Sequence, residues 1–145
     1  MEVFVECPKG SKEKYALQPD GSFYLERALK KPWIANYGFV KGTLQGDGDP
    51  LDAYVLGKQL KQGESASVFP ICLVYYIDEG NIDHKLICSR SLTRFIRFKV
   101  WRLCRAMKRN KKNALVLGAT WGADNIKYEV AKCRALANLF KGGRK

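Results

Sequence analysis

The period of the apolar pattern changes once along this chain, and that change limits the fold more than any single motif. From Glu2 to Cys88, apolar residues alternate with polar ones or form short runs, broken at Lys9-Gly10-Ser11, Pro19-Asp20-Gly21-Ser22 and Lys61-Gln62-Gly63-Glu64. Alternation puts every second side chain on one face of a strand, and Gly, Pro, Asp and Ser clusters mark the turns between. Strands are predicted at 2–7, 14–18, 23–25, 53–56, 67–77 and 84–88, with an irregular, aromatic-rich connection at 32–39. From Leu92 the apolar residues 92, 96, 100, 103, 104 and 107 fall on one helical stripe, with Ser91 as cap. Arg90, Arg94, Arg97, Arg105 and Lys108 take the opposite side. A loop at 110–113, a short strand at 114–117 and a turn at 118–122 lead to a second helix over 124–140. Many short strands followed by two helices predict an α+β domain, a small closed barrel with the helices packed on it.

Within the strand-rich part, Gln45-Gly46-Asp47-Gly48-Asp49-Pro50-Leu51-Asp52 sets three carboxylates at i, i+2 and i+5. In extended backbone Asp47 and Asp49 share a face; Gly48 permits a bend and Pro50 holds it. Like charges this close repel unless a cation or a proton sits among them. Oxygen ligands alone favour a hard cation such as Mg2+ or Mn2+. An ordinary surface turn uses the same residue types. An EF-hand does not fit, because the twelfth position from Asp47 is Lys58, where that loop needs Glu. Against the plain turn stands a second acidic stretch, Asp78-Glu79-Gly80-Asn81-Ile82-Asp83: six of the chain's fourteen acidic residues fall in these two windows. The concentration points to a metal site assembled from two loops.

At 145 residues the chain is long enough to bury a core of its own, and residues 1–145 read as one domain. Its start lacks the basic and apolar segments of a signal peptide, and the longest apolar run, 68–77, is too short to span a membrane. Five scattered cysteines without Cys-x-x-Cys spacing read as reduced thiols and place the chain in the cytoplasm. Residues 1–83 carry 9 Lys/Arg and 12 Asp/Glu, a net of −3, whereas residues 84–145 carry 17 and 2, a net of +15. The basic half is expected to attract polyanions: phosphate compounds, nucleic acid or acidic protein surfaces. The single histidine, His84, has no nucleophile beside it and reads as a strand surface residue.

These elements, in this order, resemble the soluble family I inorganic pyrophosphatases. Asp47-Gly48-Asp49-Pro50-Leu51-Asp52 is similar to that family's defining motif. Phe4-Val5-Glu6 with Pro8, then Lys14-Tyr15, resembles its first strand and substrate lysine; Glu26-Arg27 resembles its Asp-Arg element, and Asn36-Tyr37-Gly38-Phe39 its Asn-Tyr-Gly-aromatic element. Asp78, Asp83 and Lys85 keep the spacing of its second acidic loop, and Lys108 with Trp121 resembles its late lysine and tryptophan. The resemblance implies a five-stranded OB-type barrel with flanking carboxyl-terminal helices, and Mg2+-dependent hydrolysis of pyrophosphate. It further implies that Asp47, Asp52 and Asp83 hold the activating metals, with Asp52 shared, and that Asp78 and Glu6 help hold metals arriving with substrate. Asp49 is then the base or orienter of the attacking water, and Lys14, Arg27, Tyr37, Lys85 and Lys108 bind phosphate oxygens. The expected partners are pyrophosphate and further copies of the chain in a homo-oligomer, with nucleic acid or an acidic partner open to the basic half. Two positions depart from the pattern: Ala16 stands where the family has Glu after Lys-Tyr, and Met107 where it has Tyr before the late lysine. The competing reading is a catalytically weakened protein of the same fold that binds polyanions or serves as an assembly subunit.

Overall fold

A computed structural model of the chain describes residues 1–91, 94–110 and 114–143, and the side chains of all of these but 108–110 and 141–143. In chain order the elements are β1 (Glu2–Cys7), β2 (Glu13–Leu17), β3 (Phe23–Ala28), β4 (Asn36–Val40), β5 (Asp52–Leu56) and β6 (Ser65–Ser67). There follow β7 (Phe69–Asp78), β8 (Asn81–Ile82), β9 (Lys85–Ser89), α1 (Ile96–Asn110), β10 (Ala114–Thr120) and α2 (Ala123–Gly143). The main sheet runs β10-β7-β9-β5-β4-β1-β6, with β8 added to β7; β2 and β3 pair only with each other.

The two ends of the run β9-β5-β4-β1 meet the same stretch of chain. β6 pairs with β1 and β7 pairs with β9, and a single residue, Val68, joins β6 to β7. The Val68 amide donates to the Met1 carbonyl at 2.9 Å, so pairing continues through the junction. One bent strand, 65–78, thus closes a five-stranded barrel, the OB-type α+β architecture the sequence implies. Closure leaves the chain few free edges, which is how small β folds avoid open ladders.

The barrel strands bury both faces, which is why several of them read as nearly unbroken apolar runs. Ala53, Val55, Leu73, Leu86 and Cys88 point to one cluster, completed by Val3, Val5 and Val40 and covered by Ile126 and Val130 of α2. Their strand neighbours Tyr54, Leu56, Cys72, Val74 and Ile87 point the other way, to a cluster covered by Val100, Leu103 and Met107 of α1. The two helices predicted from periodicity therefore cap opposite faces.

Three local expectations change. The 32–39 stretch ends in a strand, β4, because Gly38 lets it approach β1 too closely for any side chain: a Cβ there would lie 1.8 Å from the Phe4 carbonyl oxygen. β10 continues to Thr120 through a bulge at Val116/Gly118 in place of the predicted turn, since pairing with Leu73 and Val74 extends that far. Finally, Ser91 does not cap α1. The first helical bond runs from the Lys99 amide to the Phe95 carbonyl at 3.0 Å, and Phe95 has φ of 64°. Leu92 and the loop residues 111–113 lie outside the described residues. Among the described residues no helix is long and apolar enough to cross a membrane.

Candidate active site

Among the described residues one pair of barrel strands is parallel, β5 with β9, and it sets Asp52 beside Lys85. Parallel neighbours begin at the same end of the sheet, so the loops that precede them emerge together. Those loops are the two acidic stretches, 45–51 before β5 and 78–84 before β9. Gln45 then ties one to the other. Its side chain accepts from the His84 amide at 3.0 Å and donates to the His84 carbonyl at 3.2 Å. The His84 ring accepts from the Tyr76 amide through Nδ1 at 3.1 Å and meets Tyr75 edge-on. His84 is thus a half-buried clamp residue, not a surface one, and burial lowers its pKa. Neither Gln45 nor His84 carries a motif, and only their positions flanking the two acidic loops signal them.

Inside the first loop the Asp49 amide donates to Asp47 Oδ1 at 3.0 Å, the Gly48 amide to the Gln45 carbonyl at 3.1 Å, and the Gln45 amide to the Asp49 carbonyl at 2.8 Å. Gly48 has φ of 89°, a conformation that favours glycine. These bonds hold Asp47 and Asp49 in a fixed turn next to Asp52. From the second loop, Asp83 joins them. Lys85 Nζ lies 2.8 Å from Asp83 Oδ2 and is also hydrogen-bonded to Asp52 Oδ2, with its side chain only 8% exposed. Burial alone would lower the Lys85 pKa, but Asp52 and Asp83 outweigh it and the net shift is upward.

Electrostatic coupling shows which other groups share the site. Glu6 is buried at a bulge in β1 between Val5 and Cys7, and desolvation, then the charges of Asp52 and Glu26, push its pKa from 4.5 to about 7. The Leu17 amide donates to its Oε2 at 2.7 Å and limits the rise. Asp83 is raised to about 6, chiefly by desolvation, with Lys85 opposing and Asp52 and Asp47 adding to it. Asp49 is raised by desolvation and by Asp47, Asp52 and Glu26. Lys14, paired with Glu26 at 3.1 Å, lies on the β2–β3 hairpin near enough to lower both Glu6 and Asp49. Tyr37 is buried, stacked on Trp33 with ring centroids 4.6 Å apart, and bonded to Asp52. Desolvation and then that carboxylate raise its pKa well above the usual phenol value.

The predicted residues therefore divide. Glu6, Lys14, Tyr37, Asp47, Asp49, Asp52, Asp83 and Lys85 share one electrostatic site. Arg27 is exposed on β3, opposite Lys14 in register. Asp78 ends β7 and acts on Tyr76, over whose ring Lys85 Nζ sits at 5.4 Å, so it borders the site. The side chain of Lys108 lies outside the described residues. Met107 is 5% exposed in the cluster under α1, as its place on the apolar stripe requires. As the described side chains stand, no three carboxylate, imidazole or thiol groups converge tightly enough to cage one ion. The donor set nevertheless fits a hard cation: it is carboxylate oxygen, and two of the carboxylates already draw a buried ammonium between them.

A barrel closed by one bent strand, with two acidic loops joined above a parallel pair, defines the class of this protein by fold and candidate site. The family model for inorganic pyrophosphatase matches residues 3–108. The chain belongs to that family. It is 42% identical over 92 residues to an inorganic pyrophosphatase of Nanoarchaeum equitans, a match covering 60% of this chain and 57% of the relative. It is 39% identical over 92 residues to one from Gluconobacter oxydans, covering 61% and 53%. The chain thus spans little more than half the length of the curated relatives it matches. The structure resembles that of inorganic pyrophosphatase from Thermus thermophilus with a TM-score of 0.79 at 26% identity, covering 95% of this chain and 91% of the other.

Proposed function

We propose that residues 1–145 act as one domain that hydrolyses pyrophosphate to two phosphates with Mg2+, or with Mn2+ in its place. The observation that carries this reading is the parallel pairing of β5 with β9, which gathers both acidic loops around Lys85. Asp47, Asp52 and Asp83 would hold the activating metal, with Asp78 and Glu6 serving metal that arrives with substrate. When bound, the metal supplies neutralising charge and Lewis-acid activation of water. Asp49, exposed and with a raised pKa, takes the proton of the attacking water. Tyr37 donates from its hydroxyl, and Lys14, Arg27, Lys85 and Lys108 neutralise phosphate oxygens as charge builds on the leaving group. With Asp52 and Asp83 holding a cation, Lys85 would be free to pair with a phosphate oxygen. The alternative of a catalytically weakened binding subunit gains nothing from this site, whose carboxylates gather around one buried ammonium. Five free thiols support a reducing, cytoplasmic setting. Leu115 and Leu117, exposed on the outer face of the edge strand β10, are a surface for the proposed homo-oligomer. The test is phosphate release from pyrophosphate by the purified chain with and without Mg2+. Absence of Mg2+-dependent release would overturn the proposal.

A further inference from the structure

Apart from Lys108 near its end, the outer side of α1 has no counterpart in the proposed hydrolysis. Its buried face, with Ile96, Val100, Leu103, Cys104 and Met107 turned to the barrel, leaves Arg97, Phe98, Trp101, Arg102 and Arg105 on the opposite side, within about 140° of arc at 100° per residue. Phe98 and Trp101 are 55% and 54% exposed and stack on each other with centroids 6.0 Å apart. The Arg105 guanidinium lies 5.3 Å over the Trp101 ring, and the Arg97 guanidinium 5.5 Å over Trp121, itself 45% exposed beyond the end of β10. Guanidinium and aromatic groups thus alternate along the stripe. The segment 96–110 holds six Lys or Arg and no Asp or Glu.

We propose that this stripe binds single-stranded nucleic acid, with bases stacking on Phe98, Trp101 and Trp121 and backbone phosphates paired to Arg97, Arg102 and Arg105. Charge and geometry choose the occupant. A polyanion complements a helix without acids, and exposed rings between its cations suit a polyanion that carries flat, apolar faces. Residues 97 to 105 span about 12 Å of helix, room for two or three nucleotides. A second copy of the chain would set this like-charged face against itself if the contact were symmetric. An anionic membrane would require a continuous apolar face to bury, whereas here Arg97, Arg102 and Arg105 stand among the rings on the same stripe.

The experiment measures binding of a fluorescein-labelled oligothymidylate to the full chain by anisotropy at graded salt, with heparin as a polyanion lacking bases. Trp101→Ala is expected to weaken oligothymidylate binding at least about ten-fold while changing heparin binding less than two-fold, because only the former loses stacking. Arg97→Gln with Arg105→Gln is expected to weaken both and lower the oligothymidylate salt slope by about 1.4 units. Phosphate release at saturating pyrophosphate and melting temperature stay as in the parent for each variant, since these side chains are exposed and are not among the charges acting on Glu6, Asp49 or Asp83. Equal loss for both ligands in Trp101→Ala, or no oligothymidylate binding near physiological salt, overturns the proposal. So does dissociation of an oligomer by Trp101→Ala, or binding to anionic vesicles that exceeds binding to the oligonucleotide.

Discussion

The amino-terminal barrel and the carboxyl-terminal α1-β10-α2 part carry charge in opposite ways. In the barrel a near-balanced set of charges is concentrated and buried: Glu6 and Lys85 are under 10% exposed, and Lys85 joins carboxylates from two loops. In the carboxyl-terminal part the charge is one-sided, with six Lys or Arg and no Asp or Glu over 96–110, and Arg97 and Arg105 lie over exposed rings. Buried charges tune one another's protonation and demand a cation. Exposed ones mainly set a long-range field that salt screens. A substitution in the first region should therefore change chemistry or folding, and one in the second should change capture.

The largest effect expected is on Asp49. Its amide and carbonyl hold the turn, but its side chain is exposed, so Asp49→Asn keeps the fold while removing the base. Phosphate release should fall by about 100-fold or more. A circular dichroism spectrum identical to the parent, with activity within ten-fold of it, would break the assignment.

Stability should show the same contrast through two asparagines. Asn36 is fully buried and satisfies four backbone groups: its amide donates to Val55 O and Lys58 O, and its oxygen accepts from the Lys9 and Leu60 amides. Asn36→Ala leaves those groups without partners in the interior, a loss of about 3 kcal/mol or more. Asn125, exposed at the start of α2 with one 3.4 Å contact to Thr120 Oγ1, should cost about 0.5 kcal/mol or less when changed to Ala. Urea denaturation measures both; similar losses at the two sites would remove the contrast.

How much of this was legible in the sequence depends on how local the cause was. The helices and most strands follow from period, and the barrel class from turn spacing. The acidic loops stood out because six carboxylates in two short windows are unusual whatever the fold. What brings them together did not show, because the parallel β5–β9 pair and the Gln45–His84 clamp join positions 33 and 39 residues apart. Asn36 and Gly38 looked like parts of an irregular connection, yet one anchors three segments and the other admits a backbone contact. Ser91 as a cap was a local signal that gave way to tertiary placement of α1.

A third test concerns pH and metal. Glu6 rises from 4.5 to about 7 on folding and Asp83 from 3.8 to about 6, so between those limits the folded chain binds protons that the unfolded chain has released. The contribution of these two groups to the stability of the metal-free protein then falls as pH rises from about 4 to about 7, opposed by His84, whose pKa folding lowers. Mg2+ reverses the cause by taking the place of the protons, so it should raise the melting temperature more at pH 8 than at pH 5. Asp52→Asn should shrink that metal-induced rise. A rise independent of pH, or undiminished in the variant, would place the cation elsewhere.

The smallest effect belongs to the basic side. Arg94 and Arg97 belong to the exposed arginines at and before the start of α1, and neither shares the coupling that links Glu6, Asp49, Asp52 and Asp83. Changing both to Gln should leave saturating turnover unaltered. What it removes is part of the field that draws an anion toward the molecule, so kcat/KM at low salt should drop by about two- to three-fold. At an ionic strength of about 1 M the Debye length shrinks to about 3 Å, and parent and variant should become indistinguishable. A drop that persists in high salt would mean that these arginines touch the substrate, and the division between a buried chemical region and an exposed capturing one would not hold.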